Sequence, residues 1–306
     1  MVECDTLTLW APLHGGPGHS MPGGGMSYLD FFKTVDSIDT LQLAEWLRNK
    51  HPDDLTLLDV RQPAEYAAGH LAGAKLIPVG ELEQRLKELN PRTTVVVYCA
   101  SGFRSRGAAA LLRNAGFAQV YNLTGGLQAW QGRVARGAPE VVLGPFTLAA
   151  SPGEHVALAW LLEEGSGRFY RNIAAQLQDP AALSLFQELA GAEDSHVATL
   201  EAVYTGLTGQ EPAEDFPAGC LPAGAPALGE LMEGGMRVAE AVAWAKGRPL
   251  QDILDLAIGL ETNALDRYLV LYRDLKDPNA QRVFEILADD ERRHLRKLIQ
   301  LFEHYL

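Results

Sequence analysis

Thr94-Val95-Val96-Val97-Tyr98-Cys99-Ala100-Ser101-Gly102-Phe103-Arg104-Ser105 is the stretch on which the fold turns. Its first five residues are rich in β-branched side chains and read as a strand. A short loop with one glycine follows, and 104–115 has helical character. Strand, tight loop and helix make up the first part of a βαβ unit, and the same grammar continues outward. Segments 55–60, 76–78 and 120–123 read as strands. Ser37 and Asp39 offer N-caps for a helix to about residue 49, and 81–89 is helical with Leu82, Leu86 and Leu89 on one face. This alternation predicts an α/β domain with a mostly parallel sheet.

The loop carries the chemistry. A loop that opens a helix aims several free backbone N–H groups inward and forms an anion cradle. Gly102 lets that backbone curl and approach closely. The helix dipole and Arg104 favour thiolate over thiol, so Cys99 is expected to have a lowered pKa. A phosphatase loop of the Cys-x5-Arg kind is the nearest rival. It wants His before the cysteine, whereas Tyr98 stands here, and only four residues separate Cys99 from Arg104. A smaller loop suits a smaller anion. Asp59 and Arg61 close the strand 55–60 at the end where α/β sheets place ligands. Asp59 reads as a structural hydrogen-bonding group, His70 as a packed turn residue and Trp130 as core.

Residues 37–140 resemble the rhodanese family. The resemblance rests on Leu58-Asp59-Val60-Arg61, Glu65-Tyr66, Gly69-His70-Leu71-Ala72-Gly73-Ala74, the cysteine loop, and Thr124-Gly125-Gly126-Leu127-Gln128-Ala129-Trp130. It implies that Cys99 is the catalytic nucleophile, aided by Arg104, with Ala100, Ser101, Gly102, Phe103, Arg104 and Ser105 as the substrate-binding loop and Asp59 and Arg61 in support. The implied reaction is attack of the Cys99 thiolate on the outer sulfur of a small donor, thiosulfate or a persulfide. The resulting Cys99 persulfide is steadied by the loop N–H groups and passed to a thiol or cyanide-like acceptor.

After residue 153 the grammar changes. Segments 154–176, 181–204, 235–246, 250–274 and 278–305 have helical period and no β-type run survives. Residues 205–230, rich in Gly and Pro, form a long connection, with an extra helix expected over 236–244. This half repeats itself at a constant offset of 98 residues. Leu158-Ala159 matches Leu256-Ala257, Leu162-Glu163 matches Leu260-Glu261, Tyr170 matches Tyr268, and Asp179-Pro180 matches Asp277-Pro278. Phe186 matches Phe284, Leu189-Ala190 matches Leu287-Ala288, and Glu193 and His196 match Glu291 and His294. Two similar helical hairpins are implied.

Each copy holds one Glu on its first helix and Glu-x-x-His on its second. Residues i and i+3 share a helix face, so Glu193 points with His196 and Glu291 with His294. Glu163 and Glu261 fall within apolar faces, where an unpaired carboxylate costs several kcal/mol. A pair of metal ions removes that penalty, and this is the ligand set of di-iron or di-manganese carboxylate bundles.

Residues 154–305 resemble the ferritin-like superfamily, most of all its rubrerythrin branch. The resemblance implies a dinuclear site held by Glu163, Glu193, His196, Glu261, Glu291 and His294. Tyr170 and Tyr268, seven residues after the first-helix glutamates, would hydrogen-bond ligands or pack in the core. Iron is the first expectation for the two ions, with manganese and zinc open. Rubrerythrins usually carry a rubredoxin-like iron site, whose cysteines this chain lacks, so reducing electrons must come from elsewhere.

The expected plan is therefore α/β plus all-α. It comprises a disordered leader (1–30, with Met26 an alternative start), a rhodanese-like parallel-sheet domain (31–140), a linker (141–153) and a ferritin-like four-helix bundle (154–306). A net charge of -13, from 39 acidic and 26 basic residues, argues against a nucleic-acid partner. No run approaches the roughly 18 apolar residues of a membrane span. Three widely spaced cysteines, Cys4, Cys99 and Cys220, give no disulfide framework, and a reducing cytoplasm is the default compartment. Cys220 reads as incidental. Three functions follow: a sulfurtransferase coupled to a metal redox domain, a di-metal peroxidase or oxidase supplied with sulfur or electrons by the rhodanese part, or a non-enzymatic persulfide sensor. Homodimerisation through the bundle is open.

Overall fold

The computed structural model describes residues 35–137, 146, 149, 151–222 and 230–305. The expected leader and most of the expected linker lie outside the described residues.

The first half is a five-stranded parallel sheet with strand order β1-β5-β4-β2-β3. The strands are β1 (Asp36–Ile38), β2 (Leu55–Asp59), β3 (Lys75–Leu76), β4 (Thr94–Tyr98) and β5 (Gln119–Leu123). Between them run α1 (Thr40–Asn49), α2 (Pro63–Ala68), α3 (Leu82–Arg85) and α4 (Phe103–Asn114), and α5 (Gly126–Ala129) follows β5. β4 lies at the centre and all five of its residues are buried. Val95 and Val97 enter one core with Leu58, Val60 and Leu112. Val96 and Tyr98 enter the core on the other face with Leu57, Tyr66 and Leu123. The period of two thus sorts one strand into two layers.

Two expectations need correction. Ser37 caps nothing; it sits in β1, an edge strand too short to show a period. Asp39 is the N-cap of α1 and forms a capping box with Gln42. The helix expected over 81–89 is two pieces, α3 and a 3-10 turn at Leu86–Glu88.

The second half holds four long helices, α6 (Pro152–Ala174), α7 (Pro180–Thr208), α9 (Leu250–Asp274) and α10 (Pro278–His304), plus the short α8 (Val238–Ala245). The repeated Asp-Pro pairs explain two of the starts. Asp179 and Asp277 each accept backbone N–H groups as N-caps, and each following proline takes the first helical position, where its missing N–H costs nothing. Ser151 and Glu154 form a capping box, so α6 starts two residues before the expected 154. No helix among the described residues is long and apolar enough to cross a membrane.

Both halves belong to one compact unit, 34–306. Asp266 of α9 accepts the Gly73 N–H at 2.7 Å and lies 3.2 Å from His70 Nε2. The Asn263 side chain accepts the Arg136 N–H at 2.9 Å, and His51 meets Glu285 of α10 at 2.6 Å.

Candidate active-site loop and metal centre

Cys99 directly follows β4 and is 1% exposed. The Gly102 N–H donates to its Sγ at 3.2 Å, and Ser105 Oγ lies 3.5 Å from the same sulfur while donating to Asn122 Oδ1 at 2.6 Å. Gly102 has φ +88°, the left-handed conformation that turns its N–H into the loop. A second loop braces the first. The Leu127 and Gln128 N–H groups, at the start of α5, donate to the carbonyls of Cys99 and Ala100 at 2.8 and 2.9 Å. Gly126 makes that approach possible: at φ +57°, a Cβ there would sit 2.3 Å from the Cys99 carbonyl oxygen.

Burial pushes the Cys99 thiol up. The Ser105 hydroxyl and the N–H groups of Ser105, Ser101 and Gly102 overcome this and hold it below the usual thiol value. The lowered pKa is as expected, but Arg104 is not its main source. Arg104 forks onto Glu65 at 2.8 and 2.6 Å and draws the Glu65 carboxyl down to about 2. Phe103, beside it, is 87% exposed at the rim. Ala100 and Ser101 complete the loop.

Asp59 and Arg61 form a buried two-pronged pair, with contacts of 3.0 and 2.6 Å, and Arg61 also donates to the Gly69 carbonyl at 2.7 Å. They tie β2 to the turn at 69–74 and do not touch the sulfur. His70 is fully buried, stacked on Tyr66, with Nδ1 2.9 Å from the Tyr66 carbonyl. Trp130 is half-buried at the domain edge rather than central core, and its indole N–H donates to the Arg133 carbonyl.

The bundle brings all six sequence-predicted metal-ligand candidates together. Glu163, Glu193, Glu261 and Glu291 are at most 1% exposed, and His196 and His294 are 5% exposed. His196 Nδ1 lies 2.9 Å from Glu163 and 3.1 Å from Glu193, and its Nε2 lies 3.0 Å from Asp290. His294 Nδ1 lies 3.4 Å from Glu261. The two tyrosines cross over between hairpins. Tyr170 donates to Glu261, and Tyr268 donates to Glu163 at 2.5 Å. Burial and the neighbouring Glu163 carboxylate push Glu193 far above the usual range; burial with Glu233 and Glu261 does the same to Glu291. Glu193 Oε1 and both Glu291 carboxylate oxygens have no hydrogen-bond partner among the described residues. Buried carboxylates with orphaned oxygens beside two histidines fit a pair of metal ions.

The rhodanese-like domain model matches residues 42–133, and the rubrerythrin model matches residues 252–305. A sulfurtransferase of Allochromatium vinosum is 38% identical over 96 residues, covering 31% of this chain and 88% of that protein. The chain belongs to the rhodanese-like family. Thiosulfate sulfurtransferase GlpE of Pseudoalteromonas translucida is 30% identical over 100 residues, 33% of this chain and 90% of that protein. The uncharacterized protein YqhL of Bacillus subtilis is 42% identical over 78 residues, 26% of this chain, and the chain spans 62% of YqhL.

Outside the rhodanese-like domain, sequence reasoning missed two acidic groups of the bundle. Asp290, at His196 Nε2, has Ala192 as its repeat equivalent, so comparing the copies could not reveal it. Glu233 lies in the long connection, at the start of a 3-10 turn, and is 1% exposed. Its one signal is an acidic residue between Leu231-Met232 and Met236 at the end of a stretch rich in Gly, Ala and Pro. Cys220, read as incidental, is half-buried with its sulfur 3.0 Å from the Tyr204 hydroxyl.

Proposed function

We propose that this protein transfers sulfane sulfur through a persulfide on Cys99 and holds a dinuclear metal centre in its helical bundle. The observation that carries the first part is the Cys99 sulfur, facing the Gly102 N–H at 3.2 Å with Ser105 beside it. A thiolate formed there attacks the outer sulfur of thiosulfate. The donor S–S bond breaks and sulfite leaves with the bonding pair. The terminal persulfide sulfur then carries the charge that the loop N–H groups receive. A cyanide or thiolate acceptor attacks that outer sulfur, and Cys99 leaves as thiolate. Arg104, at the rim and 35% exposed as a side chain, attracts the anionic donor. The likeness to a thiosulfate sulfurtransferase supports thiosulfate as donor.

For the bundle, Glu163, Glu193, His196, Glu261, Glu291 and His294 would hold the two ions, with iron first. Iron or manganese bound there would supply one-electron redox chemistry. The chain's own residues position that chemistry. Tyr170 and Tyr268 fix the outer oxygens of Glu261 and Glu163, and Asp290 holds His196 Nε2 so that Nδ1 faces the carboxylates. Carrying both sites on one chain raises their effective concentration for each other, which supports a metal domain that acts on the sulfur product.

The test is a thiosulfate-to-cyanide transfer assay and a metal analysis on the same preparations. Wild type should form thiocyanate, gain one sulfur atom in mass on Cys99, and hold two ions per chain. Cys99→Ser should lose the first two properties and keep the third; the Glu193→Ala/Glu291→Ala double variant should do the reverse. Transfer that survives in Cys99→Ser would sink the persulfide reading. Folded wild type that holds no iron, manganese or zinc would sink the dinuclear one. Peroxide turnover without any sulfur donor would favour an oxidative-defence role for the bundle.

A further inference from the structure

We infer that Glu233 is a seventh ligand residue of the metal centre, delivered by the connection between the two hairpins; this rests on the dinuclear reading above. Glu233 is 1% exposed, so its carboxylate faces the interior. Its Oε2 lies 3.3 Å from Ser166 Oγ, while Oε1 has no hydrogen-bond partner among the described residues. One oxygen from each of Glu163, Glu233 and Glu291 lies within 4.8 Å of the others, so Glu233 stands between ligand residues of both hairpins.

The connection is built to hold it there. Gly165 of α6 leaves room for the backbone: a Cβ at that position would be 2.1 Å from the Leu231 carbonyl oxygen and 2.9 Å from Met232 Cα. Ser166 receives the Glu233 N–H at 3.2 Å. The segment closes on itself through the Leu231–Arg237 bridge and the 3.0 Å bond from the Met232 N–H to the Met236 carbonyl, with Gly235 at φ +80°. Met232, fully buried, anchors it in the core. The seat exists once. Asn263 and Ala264 occupy the repeat positions of Gly165 and Ser166, so the second hairpin has neither the gap nor the hydroxyl.

A counter-ion role toward the buried Arg267 is the rival. Arg267 Nε and Nη1 lack hydrogen-bond partners among the described residues, as does Glu233 Oε1, so no bond joins the two groups through those atoms. Charge is balanced if both act around the ions. Five buried glutamates are matched by two divalent cations and one guanidinium. Glu233 makes the two ion positions unequal, because only one hairpin brings a strap.

The test is a cobalt(II) titration of the metal-stripped full chain against a chromophoric chelator, with the visible spectrum recorded, for wild type, Glu233→Gln and Glu233→Asp. Wild type should take two ions. Glu233→Gln should bind one of them at least tenfold more weakly with an altered cobalt spectrum, leave the other unchanged, and Glu233→Asp should recover part of the loss. A melting curve of each metal-stripped variant confirms folding. Two ions bound by Glu233→Gln with unchanged affinities and spectrum would overturn the inference, and a lowered melting point with that result would assign Glu233 to Arg267 instead. Wild type that binds no cobalt, manganese or iron would overturn the dinuclear reading itself, and this inference with it.

Discussion

Tyr170 and Glu261 belong to different hairpins of the bundle, and the hydroxyl of the first donates to the carboxylate of the second. Tyr268 returns the bond to Glu163 at 2.5 Å. Each hairpin therefore orients a proposed metal ligand of the other. Tyr268→Phe should weaken metal binding about tenfold, since outer hydrogen bonds of this kind typically contribute 10–100-fold. It should leave the helix content unchanged. Chelator competition measures the first and circular dichroism the second; unaltered affinity would place Tyr268 in packing alone.

The Cys99 thiol is held low by donors, and Ser105 supplies two of them. Removing a donor to the thiolate raises the pKa, so Ser105→Ala should shift the pH midpoint of iodoacetamide alkylation upward. At pH 7 the rate should fall, while well above the new midpoint it should match wild type. A midpoint that stays put or moves down would remove Ser105 from the activation of the sulfur.

Gly126 is where the second loop touches the first. Gly126→Ala combines a left-handed φ with a Cβ 2.3 Å from the Cys99 carbonyl, so the cysteine loop must shift. Sulfur transfer should drop by orders of magnitude and stability by about 1–3 kcal/mol. Gly107→Ala, in α4 with no heavy atom within 4 Å of the added methyl, is the control and should gain about 0.5–1 kcal/mol. Denaturant melts and thiocyanate formation on both variants check the contrast.

Asp266 joins the halves. Asp266→Ala leaves the half-buried Gly73 N–H without its acceptor and the buried His70 Nε2 without its partner, a loss of about 1–3 kcal/mol. Amide hydrogen exchange should quicken over residues 69–74, and the metal content of the bundle should not change. Exchange confined to α9 would show that the contact does not stabilise the turn.

The parts that could be read from the sequence are those whose cause is local. The β-branched run of β4, the Asp-Pro starts of α7 and α10, and the i,i+3 Glu and His pairs each declare themselves within a few residues. The offset of 98 then multiplied one hairpin's reading into two. What escaped depends on distant partners. His70 meets a carboxylate 196 residues away, and Arg104 prefers a glutamate 39 residues back to the thiol beside it. β1 is three residues with no period, recognisable only once β5 lies alongside. Asp290 and Glu233 have no repeat partner, so the comparison of copies that singled out the six proposed ligands passed over them.

A bundle made of two like hairpins is a symmetric dimer written into one chain. As two separate chains it would come apart on dilution, and its symmetry axis would force identical surroundings on both proposed ions. Joined through residues 209–249, its assembly is independent of concentration and its halves are released from that symmetry. Asp290 and Glu233, neither with a counterpart in the other half, are where the halves have parted, so the two proposed ion positions are free to differ in affinity and in potential.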